Sequence, residues 1–241
     1  MITFILFLFT FSFFPGQHAP LTSVDFQTSD HILIKGVYEI PGLQGPVPAV
    51  IFIHQGGSSK EEWVRQPLFK LCLKKGYAVL AYDVRNHGES GKDKGGIGDL
   101  FVNPNRAPLD LKAAIHFLHA DKRIDTNRIA IVGSSIGGNL ACVAMNDPSL
   151  GVKCSVAMSC KTSAVRNLAG VEKLSFHNLF LIASSGDQGG QRALWAKELY
   201  DLTHDKRKLL IVKNSSAHGV SMFRDDPELG TTILNWLKDT L

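Results

Sequence analysis

The chain has 241 residues, a mass of 26.4 kDa and 44% hydrophobic residues, enough for one large domain with a substantial core, which excludes a disordered tail or a disulfide-stapled miniprotein. Lys and Arg exceed Asp and Glu only by 26 to 22, and the surplus is scattered, so the concentrated basic stripe expected of a nucleic-acid partner is missing. The four cysteines, Cys72, Cys142, Cys154 and Cys160, form no Cys-x-x-Cys pair and sit among Leu, Val and Ala. They read as buried free thiols, neither a zinc site nor a disulfide framework.

The first segment stands apart. Six of the 14 Phe fall between Phe4 and Phe14, and no Asp, Glu, Lys or Arg precedes Asp25. As a helix, Ile2 to Phe14 would span roughly 20 Å, short of the ~30 Å hydrocarbon layer of a bilayer. With Pro15, Gly16 and Ala19 following as a cleavage region, residues 1–19 read as a signal peptide and the protein as exported, periplasmic or secreted. A cytoplasmic location is the alternative if the segment is no signal. No stable membrane span is expected.

Beyond the leader, one domain from residue 20 to 241 is expected, with no linker and no internal repeat. Val24 to Thr28 and His31 to Ile40 read as an opening pair of strands, and Ala49 to Ile53 as an apolar strand ending in a Gly-rich turn. Then follow a helix over Trp63 to Lys75, a strand over Ala78 to Tyr82, a helix over Ala107 to Ala120 and a strand over Ile129 to Val132. A helix over Gly138 to Met145 precedes strands over Cys154 to Met158 and Leu179 to Ala183. A helix over Gln191 to Leu202, a strand over Lys208 to Val212 and a helix over Pro227 to Leu237 close the chain. Short continuous apolar strands alternating with amphipathic helices predict a three-layer α/β/α sandwich around a mostly parallel sheet.

The sharpest local signal is Gly133-Ser134-Ser135-Ile136-Gly137-Gly138. It joins an apolar strand to a helix, where a nucleophile elbow must sit. In so tight a turn, side chains at 133 and 137 would collide with neighbouring backbone, while the middle residue projects above the sheet. Ser135 is therefore the expected nucleophile. The N–H of Ile136, in the first helical turn, is free to donate to an oxyanion.

A serine hydroxyl needs a base, and that base needs a carboxylate to hold its tautomer. Asp187, in Ser184-Ser185-Gly186-Asp187, and His218, in Ala217-His218-Gly219, both follow predicted strands. Both therefore belong to the same rim of the sheet as Ser135. Asp225 and Asp226 compete for the acid's role, but they follow the histidine and suit a cap on the last helix.

With these residues and the turn His54-Gln55-Gly56-Gly57 and the run Asp83-Val84-Arg85-Asn86-His87-Gly88-Glu89-Ser90, the chain resembles the α/β-hydrolases. Among them it looks like the small lidless serine esterases of the dienelactone-hydrolase-like group. The resemblance implies ester, thioester, lactone or amide hydrolysis according to the pocket. It also implies a second oxyanion donor from the loop after His54, at Gln55 or Gly56, since Gln55 stands where the family has Gly. Dienelactone hydrolase itself carries a cysteine nucleophile, so its lactone activity does not transfer to a chain with Ser135. The Asp83 to Ser90 segment is expected to organise the floor of the site.

His54 reads as a structural histidine beneath the oxyanion loop or as part of the pocket. Trp63 lines the pocket or packs helix on sheet, and Arg85 and His87 are structural or contact substrate. Gly91 to Asn105, with Gly95-Gly96-Ile97-Gly98, lacks the strand and helix flanks of a dinucleotide loop and reads as a surface excursion near the pocket. Cys160 to Leu179 is too short for a lid domain. The expected function is hydrolysis of a small-molecule carboxylic ester of short to medium acyl chain through an acyl-enzyme, with no cofactor and no metal. A peptidase, amidase or thioesterase using the same residues, or an idle binding protein, are the alternatives; the oligomeric state is not legible.

The leader makes a separate prediction. Protein recovered from its native cell is expected to begin near Pro20 by N-terminal sequencing; an intact Met1 in a cytoplasmic fraction would count against export, and carbonate-resistant retention on membranes would favour an anchor.

Overall fold

A computed structural model describes residues 21–241, so the leader read for residues 1–19 lies outside the described residues. Eight strands form one sheet. They are β1 (Thr22–Gln27), β2 (Leu33–Glu39), β3 (Val47–Ile53), β4 (Ala78–Tyr82), β5 (Ile124–Ser134), β6 (Cys154–Met158), β7 (Phe176–Ser184) and β8 (Thr203–Val212). Their spatial order is β1-β2-β4-β3-β5-β6-β7-β8. β2 runs antiparallel to both β1 and β4, and every other pairing is parallel. The central runs 49–53, 78–82, 129–132 and 179–183 of the parallel strands are apolar without interruption because both their faces are covered.

Alternation along β3 shows the two cores. Ala49, Ile51 and Ile53 face one layer, and Val50 and Phe52 the other. The first layer holds α3 (Ala107–His119), α4 (Ile136–Asn146), α5 (Thr162–Ala169) and α6 (Gln191–Asp201). The second holds α1 (Glu61–Val64), α2 (Pro67–Lys74), α7 (Met222–Asp225) and α8 (Leu229–Thr240). In α8, Leu229, Ile233, Trp236 and Leu237 recur at helical spacing, and all four are buried against the sheet. The three-layer α/β/α arrangement expected from the strand and helix punctuation is the observed one.

Differences from the expected elements have local causes. The single helix read over 63–75 is two, because Pro67 lacks the N–H that would continue the first and instead opens the second. β5 begins at Ile124, earlier than its apolar run, because the polar stretch 125–128 is looped out where the pairing slips from Val47–Ile124 to Ala49–Ile129. A similar slip between His177 and Leu179 carries β8 back to Thr203. The last helix begins at Leu229, after the short α7. Helix α5, not expected from the sequence, buries Ala164, Val165 and Leu168 and stops at Gly170, whose φ of 65° only glycine adopts without strain.

All four cysteines are buried and free. Among the described residues no helix is long and apolar enough to cross a membrane.

The loop after β4 is fastened by charge. The Arg85 guanidinium is fully buried, with Nε donating to Asp110 at 2.8 Å, Nη1 and Nη2 to Asp30 at 2.6 and 2.9 Å, and Nη1 also to Asp93 at 3.3 Å. Asp83 accepts the amides of Lys60 and Glu89 and the Lys60 ammonium at 2.6, 2.9 and 2.9 Å. Removing one partner of such a buried pair leaves the other charge uncompensated, so R85M is expected to lower unfolding free energy by about 3–5 kcal/mol. A urea melt within about 1 kcal/mol of wild type, the value of a surface pair, would show the network to be dispensable.

Candidate active site

The elbow is built from the absence of side chains around Ser135. A Cβ on Gly133 would stand 2.0 Å from the Gly137 carbonyl oxygen, and one on Gly137 would stand 2.1 Å from the Ile53 carbonyl oxygen. Both elbow glycines are thus demanded by sterics. Between them Ser135 is held at φ 52°, ψ −104°, a strained conformation for a residue with a Cβ. Its N–H donates to Met158 at 2.8 Å, and the N–H of Gly137 donates to His54 at 3.2 Å, so the turn is tied to the ends of β6 and β3.

The loops after β7 and β8 meet beside it. His218 Nδ1 and Asp187 Oδ2 are 2.7 Å apart, which makes the ring the donor and leaves Nε2 able to accept. The Ser159 hydroxyl donates to the same carboxylate oxygen at 3.0 Å and accepts the N–H of Gly219 at 3.0 Å. Gly219, at φ 56°, fits so closely that a Cβ would stand 2.1 Å from Ser134 Oγ and 2.3 Å from Gln55 Oε1. The histidine loop therefore packs directly on the elbow and on the oxyanion loop. Ser135 and Asp187 are each 6% exposed, while the His218 side chain is about a third open to solvent. The Ser135 hydroxyl makes no side-chain hydrogen bond among the described residues.

Asp225 does not face the histidine. It accepts from Ser215 at 2.6 Å, and that bond holds its carboxyl below the usual range. Ser215 also accepts the N–H of Ala217 at 3.0 Å, so Asp225 braces the histidine loop from below. Asp226 caps the chain locally through the Glu228 amide.

The loop after β3, expected from the sequence to supply an oxyanion donor, carries a feature that no motif marks. The Gln55 N–H points at the Glu62 carboxylate, 3.3 Å away, whereas the N–H groups of Gly56 and Ile136 have no partner among the described residues. Gly56 lies close to the elbow, since a Cβ there would touch Ile136 Cδ1 at 3.0 Å and Phe101 Cζ at 3.7 Å. Burial pushes the Glu62 carboxyl up to about 7, against the opposing pull of Ser58, Gln55 and Ser134. Nothing in the residue order marks Glu62; only the turn that folds α1 back beneath the loop brings it there.

His54, Trp63 and Arg85, read as pocket residues or structural ones, are all fully buried. None of them lines open space. His54 accepts the Val84 N–H at Nε2 and therefore donates from Nδ1 to Gln55 O, at 2.9 and 2.7 Å, and burial pushes its pKa down to about 4. It is a neutral strut. His87 repeats the device, accepting the Gly57 N–H at 3.0 Å and facing Arg85 O at 3.0 Å. Trp63 donates to Ile53 O at 2.9 Å and packs on Phe52. Arg85 belongs to the network described above. The excursion over 91–105 does reach a cleft, through Phe101 and Val102.

A family model described as the alpha/beta hydrolase fold matches residues 48–181, more than half of the chain. The chain belongs to the α/β-hydrolase family. Among curated relatives, it is similar to the uncharacterized protein YcjY of Escherichia coli strain K12, 33% identical over 100 residues, covering 41% of this chain and 31% of that protein. It is also similar to the thiohydrolase aneE of Aspergillus aculeatus, 29% identical over 126 residues, covering 52% of this chain and 37% of that one. The matched stretches thus span about a third of these relatives' lengths. Among solved structures it is similar to the Pyrococcus furiosus esterase Pf2001, with TM-score 0.71 at 21% identity, covering 92% of this chain and 91% of that one. The dipeptidyl peptidase 4 of Porphyromonas gingivalis gives 0.69 at 16%, covering 93% of this chain and 36% of that one. At such identities the structural likeness concerns the fold.

Glu62 makes a pH-dependent prediction. Its folded pKa, about 7, lies above the ordinary glutamate value, so the folded state binds the extra proton between the two values and loses stability as pH rises through them toward 7. E62Q, which stays neutral, is expected to match wild type at pH 5 and to exceed it by about 1–2 kcal/mol at pH 8, allowing for partial solvent access. Urea melts at the two pH values check this; an equal gap at both would mean that Glu62 does not titrate in the folded state.

Proposed function

We propose that this α/β-hydrolase is a serine hydrolase that cleaves carboxylic esters of short to medium acyl chain, with Ser135 as nucleophile, His218 as base and Asp187 as its orienting acid. The observation that carries this reading is the 2.7 Å bond between His218 and Asp187 on the rim where Ser135 sits strained in its elbow. Asp187 fixes the proton on Nδ1, so Nε2 takes the proton of the Ser135 hydroxyl as its oxygen attacks the carbonyl carbon. Negative charge gathers on the former carbonyl oxygen, facing the N–H groups of Ile136 and Gly56. Gly56 rather than Gln55 takes the second position because Glu62 already holds the Gln55 amide. The imidazolium returns its proton to the departing alcohol, leaving an acyl-serine. Water, deprotonated by His218, then adds to the acyl carbon; the bond to Ser135 Oγ breaks, the carboxylic acid leaves, and the imidazolium returns its proton to the serine oxygen.

No metal or organic cofactor enters this scheme. The single helix α5 between β6 and β7 supports an uncovered site, and hence short acyl groups, because added methylenes gain energy only where a channel buries them. The grouping with small dienelactone-hydrolase-like esterases belongs to this reading. Thioester hydrolysis is a second reading, favoured by the similarity to aneE, named a thiohydrolase.

A fluorophosphonate probe is expected to label the protein once, and S135A to abolish the label without unfolding; labelling at Ser134 or Ser163 would displace the nucleophile. D187N is expected to lower kcat by a factor of about 10² to 10⁴ because the amide favours the wrong tautomer, whereas D225N, which only braces the loop, is expected to cost far less. The reverse order would move the acid. A panel of acetyl, butyryl, octanoyl and palmitoyl esters beside the matching thioesters reads chain length and leaving group together; a strong palmitoyl preference would leave the triad standing and refute the short-chain pocket.

A further inference from the structure

Most buried cations of this protein are matched by carboxylates. Arg85 meets Asp30, Asp93 and Asp110; Arg106 meets Asp93 and Asp99; Lys60 meets Asp83 and Glu89. Arg192 departs from the pattern. It stands half-buried at the start of α6, and among the described residues no carboxylate lies within ion-pair distance of its guanidinium. One nitrogen donates to Ser159 O at 2.8 Å, while the buried Nε has no hydrogen-bond partner. Holding a guanidinium away from water with no carboxylate in contact is costly, and burial lowers its pKa against the more distant pull of the Asp187 charge.

Arg192 opens into a cleft of about 330 Å³. Phe101 and Val102 of the 91–105 excursion form its apolar wall, and Lys161, Ser163 and Asn167 of the chain around α5 form its polar one. No acidic residue lines it. Lys161 has no carboxylate partner among the described residues either, and both cations lie over the Trp195 ring, at 5.6 Å for the ammonium and 5.2 Å for the guanidinium. That contact holds the two charges near each other without neutralising them. The nearest acids are already committed: Asp187 to His218 and Ser159, Glu198 to Thr162, Asp99 to Arg106.

The cleft adjoins the site on two sides. Ser159, which Arg192 grips by its carbonyl, bonds both Asp187 and the amide of Gly219 through its hydroxyl. On the opposite wall Phe101 reaches the space beside Gly56 of the oxyanion loop. A molecule with its carbonyl at Ser135 therefore has this cleft as neighbouring space, apolar along one wall and doubly positive along the other.

We propose that the cleft is an anion subsite that receives a carboxylate carried by the ester substrate, with Arg192 as its fork-shaped contact and Lys161 as a second charge. The inference rests on the hydrolase reading above for the word substrate, but not for the binding of the anion. A guanidinium presents paired N–H donors that match a carboxylate, and the apolar wall suits the short methylene chain linking it to the ester. Phosphate shares the anionic chemistry, so the test includes it.

The experiment compares mono-4-nitrophenyl glutarate, which is anionic, with its neutral methyl ester, in wild type, R192M, R192K and K161M. Wild type is expected to favour the anionic ester in kcat/KM by about tenfold or more, chiefly through KM, and the ratio is expected to fall with added salt. R192M is expected to bring the ratio to near one, R192K to restore part of it, and K161M, whose side chain is exposed and safe for folding, to reduce it. Equal use of the two esters by wild type, or a preference indifferent to both substitutions, would overturn the subsite.

Calorimetric titration of S135A with monomethyl glutarate and with inorganic phosphate separates this from the hydrolase reading. Saturable glutarate binding that disappears in S135A/R192M sustains the subsite even if wild type hydrolyses neither ester, in which case only the hydrolase reading fails. Binding of phosphate without glutarate, or of neither, refutes the carboxylate.

Discussion

Everything at the rim of this protein depends on how closely three strands and one helix approach at the turn around Ser135. The carbonyl of Ile53 sits where a side chain at 137 would be, and the carbonyl of Gly137 where one at 133 would be. Because the glycines remove those atoms, the backbone can reverse within one residue and hand its strain to Ser135 alone. The cost of that conformation, of order 1–3 kcal/mol, is supported by the parallel core of β3, β5 and β6, whose inward residues are fully buried on both faces. A looser sheet could not hold it.

Around that fixed point the loops are positioned by hydroxyls more than by charges. Ser159 ties the carboxylate of Asp187 to the amide of Gly219. Ser184 donates to Ala217 O at 2.7 Å, and Ser215 donates to Asp225 at 2.6 Å while accepting the N–H of Ala217 at 3.0 Å. These bonds cross between the loops after β6, β7 and β8, so His218 is held by a network in which each partner fixes the next. The two buried histidines do the same on the far side, where His54 and His87 each accept one backbone N–H, and burial keeps His54 neutral. Of the three imidazoles around the elbow, that of His218 alone is open to solvent.

The strands were legible because a parallel sheet buried on both faces leaves unbroken apolar runs, and the elbow because its sterics admit only glycine at fixed offsets. Asp187 and His218 were legible as polar residues just past such strands, and their pairing in space follows from adjacent β7 and β8. What escaped was tertiary. Glu62 and Ser159 act through contacts with segments distant in sequence or across loops, and no spacing announces them. Helix α5 is too short and polar to give a strong period, although Ala164, Val165, Leu168 and the stop at Gly170 were a readable sign. Trp63 and Arg85 offered two roles in the sequence, and burial decided for the frame.

Charge pairing separates frame from function more sharply than burial does. Arg85 is more deeply buried than Arg192, yet every edge of its guanidinium meets a carboxylate or a network that includes one, and replacing it threatens folding. Lys60 is likewise buried between Asp83 and Glu89 and holds the turn that carries the oxyanion loop. Arg192 and Lys161 have no contacting carboxylate among the described residues, Asp187 acting on Arg192 only at longer range, and so contribute positive potential to the cleft. On the other side of the oxyanion loop Glu62 contributes the opposite sign, with its ionisation drawn toward neutral pH by burial. On the proposed reading a substrate carboxylate is drawn to the Arg192 side and away from the Glu62 carboxylate, which the Gln55 amide holds, so the two groups together favour one orientation of an anionic ester across Ser135.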